Sequence, residues 1–313
     1  FPYFEIYTTD DSNLLIIASP EPITDSLNPA VFENPGLAAE LQHVGISGIQ
    51  DFKTRYLGND RILGNLIRSF NISPNSDYFP VLDLNAERSR FLQHNALNLV
   101  KYRTSGLPLI NLLLPGYYDE NRTRVNDNKW HSFSHVTWLS MNLYAYFMET
   151  GEIAPDSISQ GMQTAVYVLK HPQSECSAPD YEPLWLQAVF RLMYATLPYL
   201  QPGELNDLIE TIREVCQSTM TLQQLQWLVL FKSLAQGNAG VALDTGKELL
   251  AAGNTDPARK RFLFNATVLS AIVDNQHAVA AEIWNEHIRG LYRNSDIPFA
   301  VYILQSLIED TEL

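Results

Sequence analysis

The sequence has few cysteines, few basic residues and no long apolar run, and each of these absences excludes a class of protein. Only 2 of the 313 residues are cysteines, too few for a disulfide framework or a zinc cluster, so we expect two thiols. The 21 basic and 35 acidic residues give a net charge of −14, which excludes a protein that binds duplex nucleic acid through a basic stripe. No run approaches the roughly 18 apolar residues of a membrane-spanning helix.

Short motifs of the common enzyme classes are also missing. The sequence contains no GxSxG nucleophile elbow and no GKS or GKT phosphate-binding loop. The segment from Gly45 to Gly48 lacks the third glycine of a dinucleotide-binding turn. We therefore predict no catalytic residue, no cofactor and no metal for this chain, and the sequence leaves open whether a longer protein containing it is an enzyme.

The first ninety residues predict a small α/β piece. Phe1–Thr8 alternates in part and Leu14–Ala18 is a continuous apolar run, with turn-forming residues between them, which predicts an antiparallel hairpin. The uninterrupted run Leu14–Ile17 predicts a strand buried on both faces, as in a sheet covered by helices. Short helical segments are expected at 36–44, 47–57 and 60–70, and a last extended segment at 80–84.

From about residue 86 the apolar spacing is helical, and it predicts an α-helical hairpin array of tetratricopeptide-like type. Ser233–Ala242 aligns with Ala271–Ala280 at an offset of 38 residues, and in both segments a helix ends in a small polar turn. The predicted fold class is thus mainly α, with domains at 1–90 and 91–313. Helices are expected at 86–105, 131–149, 155–170, 183–198, 203–217, 221–236, 238–252, 256–274, 276–292 and 296–309.

A histidine pair near the start of one predicted helix forms the first candidate ligand-binding cluster. His131 and His135 stand four residues apart, so on a helix their imidazoles would share a face. Trp130 and Trp138 flank them. A metalloprotease helix would carry Glu after the first His, where this sequence has Ser132. Helix packing with hydrogen-bonded histidines is the main interpretation, and a ligand-binding or metal-binding role is the alternative.

The polar loop from residue 107 to residue 128 contains the second candidate cluster. Two phenols and two carboxylates follow one another there: Tyr117, Tyr118, Asp119 and Glu120. Carboxylates beside aromatic walls would suit an ammonium ligand. A solvated turn is the main interpretation, and an ammonium-binding site is the alternative.

Three N-terminal segments together carry a resemblance to a known family. The chain starts Phe1-Pro2, an apolar strand ends at Ser19, and Asn75-Ser-Asp-Tyr-Phe-Pro-Val-Leu-Asp83 follows a helical stretch. This order resembles the last part of the spermidine-synthase-like domain of bacterial membrane-fused aminopropyltransferase homologues, where the third motif is Asn-Thr-Asp-Asp-x-Pro-x-Leu-Glu. Here Tyr78 replaces the second Asp of that motif and Asp83 replaces its Glu.

The resemblance implies that residues 1–90 are the closing edge of a Rossmann-like methyltransferase fold whose Gly-rich cofactor motif and catalytic aspartate lie upstream. The chain would then be the C-terminal region of a spermidine-synthase-like protein, non-catalytic alone, with helical repeats as a scaffold or as a regulatory, partner-binding surface. Its partner would be another protein or the upstream part of its own polypeptide. The implied location is the cytoplasmic side of a membrane, with attachment through a missing N-terminal part. The alternative is a stand-alone helical-repeat interaction module unrelated to polyamine synthesis.

Overall fold

The structure is a computed structural model that describes most of the chain in two compact units. The described residues are 1–10, 13–23, 28–71, 99, 102–104, 106–114, 125–127, 129, 131–150, 155–172, 175–216, 219–253, 256–292 and 297–309. The first unit comprises residues 1–105, 126–134 and 297–313, and the second comprises residues 106–125 and 135–296. Each unit is described by itself.

The described residues are mainly α-helical, with one small sheet near the N-terminus. The strands are β1 (Tyr3–Thr8), β2 (Leu14–Ser19) and β3 (Tyr56–Asn59). The helices are α1 (Pro35–His43), α2 (Ile49–Lys53), α3 (Asp60–Ser69), α4 (Leu109–Leu113), α5 (Ser132–Met148), α6 (Gln160–Lys170), α7 (Glu182–Thr196), α8 (Pro202–Cys216), α9 (Leu222–Ala235), α10 (Ala239–Ala252), α11 (Pro257–Val273), α12 (His277–Leu291) and α13 (Phe299–Glu309). Within the described part of the chain, no helix is long and apolar enough to cross a membrane.

The predicted hairpin is present as two strands of a three-stranded antiparallel sheet in the order β2-β1-β3. β1 pairs with β2 from Tyr3 opposite Ser19 to Thr8 opposite Leu14. The third strand lies partly within the segment 47–57, for which the sequence pattern predicts a helix, so that prediction is wrong for its last residues. Pairing with the second edge of β1 overrides the local pattern, because strand preference depends on the packing that tertiary structure supplies.

Among the strands that the structure describes, β2 lies at the edge of the sheet and is largely exposed, so the prediction that it is buried on both faces is wrong. Leu15, Ile16 and Ile17 expose 43%, 58% and 42% of their surface. Ile6 and Tyr7 on β1 stand opposite Ile16 and Leu15 and expose only 3% and 5%. Successive residues of a strand point to opposite faces. Both faces of the second half of β1 are therefore covered, whereas both faces of β2 are open to solvent.

Helices of the second unit pack mainly against their neighbours in the sequence. α6 packs against α7, and each helix from α8 to α11 contacts the next. The unit's core centres on α11, in which every residue from Phe262 to Ile272 is buried. Aromatic rings from three helices meet there, with centroids 5.5 to 6.2 Å apart: Phe190, Trp227, Phe231 and Phe262.

The offset of 38 residues found in the sequence recurs in the backbone. Gly237 follows α9 and Asn275 follows α11, and both adopt the left-handed conformation, with φ of 70° and 58°. The residue after each donates its N–H to the carbonyl five residues earlier, at 2.8 Å in both turns. This is the Schellman ending of a helix. The two helix–turn–helix segments therefore share one turn geometry.

From α5 onward the predicted helices agree with the observed ones where the structure describes them, except that the segment 155–170 begins with a 3₁₀ turn at Pro155–Ser157 and its α-helix starts at Gln160. The segment 256–274 contains α11, and Thr221 with Gln224 forms a capping box at the start of α9. The extended segment at 80–84, the domain boundary near residue 90 and most of the helix at 86–105 lie outside the described residues.

The prediction of two thiols is wrong, because Cys176 and Cys216 form a disulfide. Their Cα atoms are 5.7 Å apart although 40 residues separate them in the sequence. Cys176 lies in the loop between α6 and α7, and Cys216 is the last residue of α8. The fold of the second unit brings this loop and this helix end together, which cysteine spacing alone does not reveal.

Candidate functional site

The structure describes three of the eight residues predicted to bind a ligand. His131 is buried, with 1% of its surface exposed, and directly precedes α5. Its Nδ1 accepts a hydrogen bond from the Ser134 N–H at 3.3 Å, so it acts as the N-terminal cap of the helix. The other five residues lie outside the described part of the chain: Tyr117, Tyr118, Asp119, Glu120 and Trp130.

His135 and Trp138, the remaining two, pack against each other. Their rings are stacked at an interplanar angle of 17°, with centroids 5.8 Å apart. Over the residues that the structure describes, no three His, Cys, Asp or Glu side chains gather in a way that could hold a metal ion. The geometry of this pair is therefore that of neighbouring side chains on a helix.

Ser134 extends the His131 cap into a buried chain of hydroxyls. Its Oγ lies 3.4 Å from His131 Nδ1 and 2.9 Å from Thr54 Oγ1. Thr54 Oγ1 in turn donates to the backbone carbonyl of Asp51 at 2.8 Å. A serine beside an imidazole is the pairing that nucleophilic catalysis uses, but Ser134 is 0% exposed. A substrate therefore cannot reach the Ser134 hydroxyl. The role of the hydroxyl chain is structural, because its hydrogen bonds connect the start of α5 to the end of α2.

Asp51 and Arg55 make hydrogen bonds to the backbone of loops in the first unit. The Asp51 carboxylate is buried and accepts hydrogen bonds from the N–H groups of Ser47 and Asn126, each at 2.9 Å. The Arg55 guanidinium donates to two backbone carbonyls at 2.6 Å. Burial lowers the pKa of Arg55, while the charge of Asp51 opposes that shift. Both charged groups are hydrogen-bonded to protein backbone and act structurally.

The phenols of Tyr7 and Tyr56 are buried beside the sheet. Burial raises the pKa of both groups well above their ordinary value, and for Tyr7 the hydrogen bond to Glu5 Oε2 at 2.7 Å adds to the rise. Both phenols are therefore neutral at physiological pH and cannot accept a proton from a substrate. Their rings lie 5.3 Å apart and pack edge to face.

The open edge of β2 is the strongest candidate site in the first unit. A sheet edge presents backbone N–H and C=O groups that can pair with a further strand. Short polar or charged edge strands usually prevent such pairing, but β2 reads Leu-Leu-Ile-Ile-Ala-Ser and carries no charge. Leu15 and Ile17 lie on one face and Ile16 lies on the other, because side chains alternate along a strand. A partner of this edge would have to supply a strand together with apolar cover on both faces.

Covering β2 would release a substantial free energy. Fully burying one Leu or Ile side chain is worth about 1.5–3 kcal/mol. Leu15, Ile16 and Ile17 are roughly half exposed, so covering all three would contribute about 2–4 kcal/mol before any backbone hydrogen bond is counted. The sequence indicates the apolar character of β2 by an uninterrupted apolar run, but it does not show that this run lies at the edge of a sheet.

A second apolar surface lies on α9 in the helical unit. Leu222, Leu225 and Val229 expose 72%, 39% and 43% of their surface. Their spacing of three and four residues places them on one face of the helix. The opposite face of α9 buries Trp227, Leu230 and Phe231 in the core. α9 is therefore apolar on its buried face and on part of its exposed face, which is the pattern of a surface that meets another apolar surface.

Comparison with known proteins identifies no relative: no family model, no curated protein and no solved structure matches the chain.

Proposed function

We propose that this chain is the C-terminal region of a spermidine-synthase-like protein, in which β1, β2 and β3 form the end of a larger α/β sheet and the helices act as a scaffold or partner-binding surface. On this proposal the chain alone is not catalytic. Cofactor binding and chemistry belong to the upstream part of the sheet, whose strands would pair with β2.

The exposed edge of β2 is the observation that carries the proposal. Ile6, Tyr7 and Thr8 of β1 are buried whereas Leu15, Ile16 and Ile17 of β2 are exposed, so the cover over the described part of the sheet ends before β2. Pairing between the β2 strands of two copies would satisfy the edge but would leave both faces exposed. A strand flanked by helices satisfies the edge and covers the faces as well, and the upstream part of a Rossmann-like sheet is built in this way.

A stand-alone helical-repeat interaction module is the second candidate. The repeated Schellman turn and the neighbour-to-neighbour packing from α8 to α12 support a tetratricopeptide-like array. The exposed face formed by Leu222, Leu225 and Val229 would then receive a partner. This candidate assigns no function to the bare edge of β2, which is why we place it second.

The natural gene distinguishes the two candidates. We expect its reading frame to continue upstream of the codon for Phe1 into a strand, a Gly-rich loop and a helix, the unit that holds a nucleoside cofactor. A start codon close to that of Phe1 would contradict the proposal and leave the interaction module.

Co-expression of the upstream part and this chain as two polypeptides tests whether β2 pairs with the upstream part. We expect the two to copurify at equal stoichiometry, and Ile16→Lys to weaken the complex at least tenfold because it places a charge on the covered face. Tyr302→Lys is the control, since Tyr302 is an exposed large hydrophobic residue on α13, 41% exposed against 58% for Ile16. Loss of the complex with both variants, or with neither, would contradict a role for β2.

Calorimetric titration then tests the implied chemistry. We expect decarboxylated S-adenosylmethionine to bind the joined protein and not this chain alone. Micromolar binding by this chain alone would mean that a complete cofactor site exists without the Gly-rich part, and it would contradict the proposal.

A further inference from the structure

The disulfide Cys176–Cys216 is the centre of a buried junction between a loop and a helix end of the helical unit. Thr219 bridges the two half-cystines: its Oγ1 accepts a hydrogen bond from the Cys176 N–H at 3.3 Å and donates to the Cys216 carbonyl at 2.9 Å. Gln224 Nε2 donates to the Cys176 carbonyl at 2.8 Å. The loop before α7 and the end of α8 are thus joined by one covalent bond and by hydrogen bonds from the segment that begins α9.

The burial of this junction indicates a structural crosslink. Cys176 exposes 1% of its surface, Cys216 exposes 4% and Gln224 exposes none. Thiol–disulfide exchange requires a thiolate to reach one of the sulfur atoms. The folded protein shields both sulfurs, so the bond forms before the junction closes and is then protected from small reductants. A switch that responds to changing redox conditions would need accessible sulfur.

We infer that the helical unit folds in an oxidising compartment. Disulfides form and persist in such compartments and are rare in the cytosol, where thiols are kept reduced. The chain contains only two cysteines and both belong to this bond. In the reaction the two thiols lose two protons and two electrons as the S–S bond forms. A disulfide-carrying oxidoreductase of that compartment accepts the electrons by exchange and is itself reduced to a dithiol.

This inference departs from the cytoplasmic side that the family resemblance implies. It rests on the second unit alone and does not depend on how β2 is completed. If the upstream part pairs with β2 and the thiols are free, the proposed function stands and this inference fails. If the disulfide is present in cells and no upstream part exists, the reverse holds.

Acid trapping of the full-length protein in its native host tests the inference. Cells are quenched in acid, the protein is denatured, and its thiols are alkylated with a maleimide that adds a resolvable mass. We expect no adduct before reduction and two adducts after reduction. Free thiols at both cysteines in the quenched cells would overturn the inference, even if the purified protein becomes oxidised in air.

A single-cysteine variant controls for reagent access. Cys176→Ser leaves Cys216 without its disulfide partner, so this variant should take up one adduct before reduction. If it takes up none, the cysteine is capped by another modification and the absence of adducts in the wild type no longer supports a disulfide. Cys216→Ser provides the same control for the other position. A cytosolic protein of the same cells, alkylated fully before reduction, confirms that trapping preserved the cellular redox state.

Discussion

Breaking the Cys176–Cys216 crosslink should destabilise the helical unit by an amount that follows from its position in the chain. The bond closes a loop with a sequence separation of 40 residues. In the chain-entropy description, a closed loop of this length lowers the entropy of the unfolded state enough to stabilise the fold by about 4 kcal/mol. For a unit of this size, each kcal/mol shifts the midpoint of thermal unfolding by about 2–4 °C. We therefore expect a loss of about 8–16 °C.

The assay compares the oxidised protein with protein that has been unfolded in reductant and refolded reduced. Reduction keeps both sulfur atoms in the core, so the difference in midpoint reports the crosslink with less disturbance of the packing than a substitution would cause. The double variant Cys176→Ser/Cys216→Ser should unfold at a low midpoint that does not respond to reductant. A shift of less than about 2 °C on reduction of the wild type would refute the reasoning, because it would mean that the crosslink does not constrain the unfolded chain.

Two further substitutions test the packing of the helical unit, each by chemical denaturation against a control on a helix of the same unit. Gly246→Ala should lower the free energy of unfolding by about 1–3 kcal/mol, because the added Cβ would overlap the Thr267 side chain. At the control position Gly290, an added Cβ meets no atom within 4 Å, so Gly290→Ala should raise the free energy of unfolding by up to about 1 kcal/mol. Equal effects of the two variants would contradict a close approach of α10 to α11. Gln224→Ala should lower the free energy of unfolding by about 1–3 kcal/mol, since it leaves the buried Cys176 carbonyl without the amide that donates to it. The control Gln226→Ala, at an exposed hydrogen bond on the same helix, should change the free energy of unfolding by less than about 0.5 kcal/mol.

Helical periodicity predicted most of the second unit because the signal for such helices is local. α11 is bounded by Asp256, whose side chain caps its first turn, and by a turn at Asn275 that repeats the one at Gly237. Caps and apolar spacing are read within a few residues, so the sequence pattern was sufficient there.

The features that matter most for function could not be predicted, because each depends on residues far apart in the sequence. β3 forms only because β1 offers it a second edge, and local preference around Tyr56 does not contain that information. The exposed state of Ile16 depends on where helical cover ends on the sheet. The disulfide requires the loop that contains Cys176 to meet the end of α8 at Cys216, and spacing alone permits either thiols or a bond. In the candidate site, His131 proved to cap a helix, a role that its spacing from His135 does not indicate.

Hydrogen exchange along β2 is the measurement that tests the central claim most directly. Backbone amides of Leu14–Ser19 are compared between the isolated chain and the full-length protein made from its natural gene, with β1 as the internal reference. In the isolated chain, we expect alternate amides of β2 to exchange rapidly because they face the open edge of an antiparallel pair. In the full-length protein we expect those amides to be protected at least a hundredfold, to the level of β1. Equally rapid exchange in both proteins would show that nothing pairs with β2, and it would contradict the account.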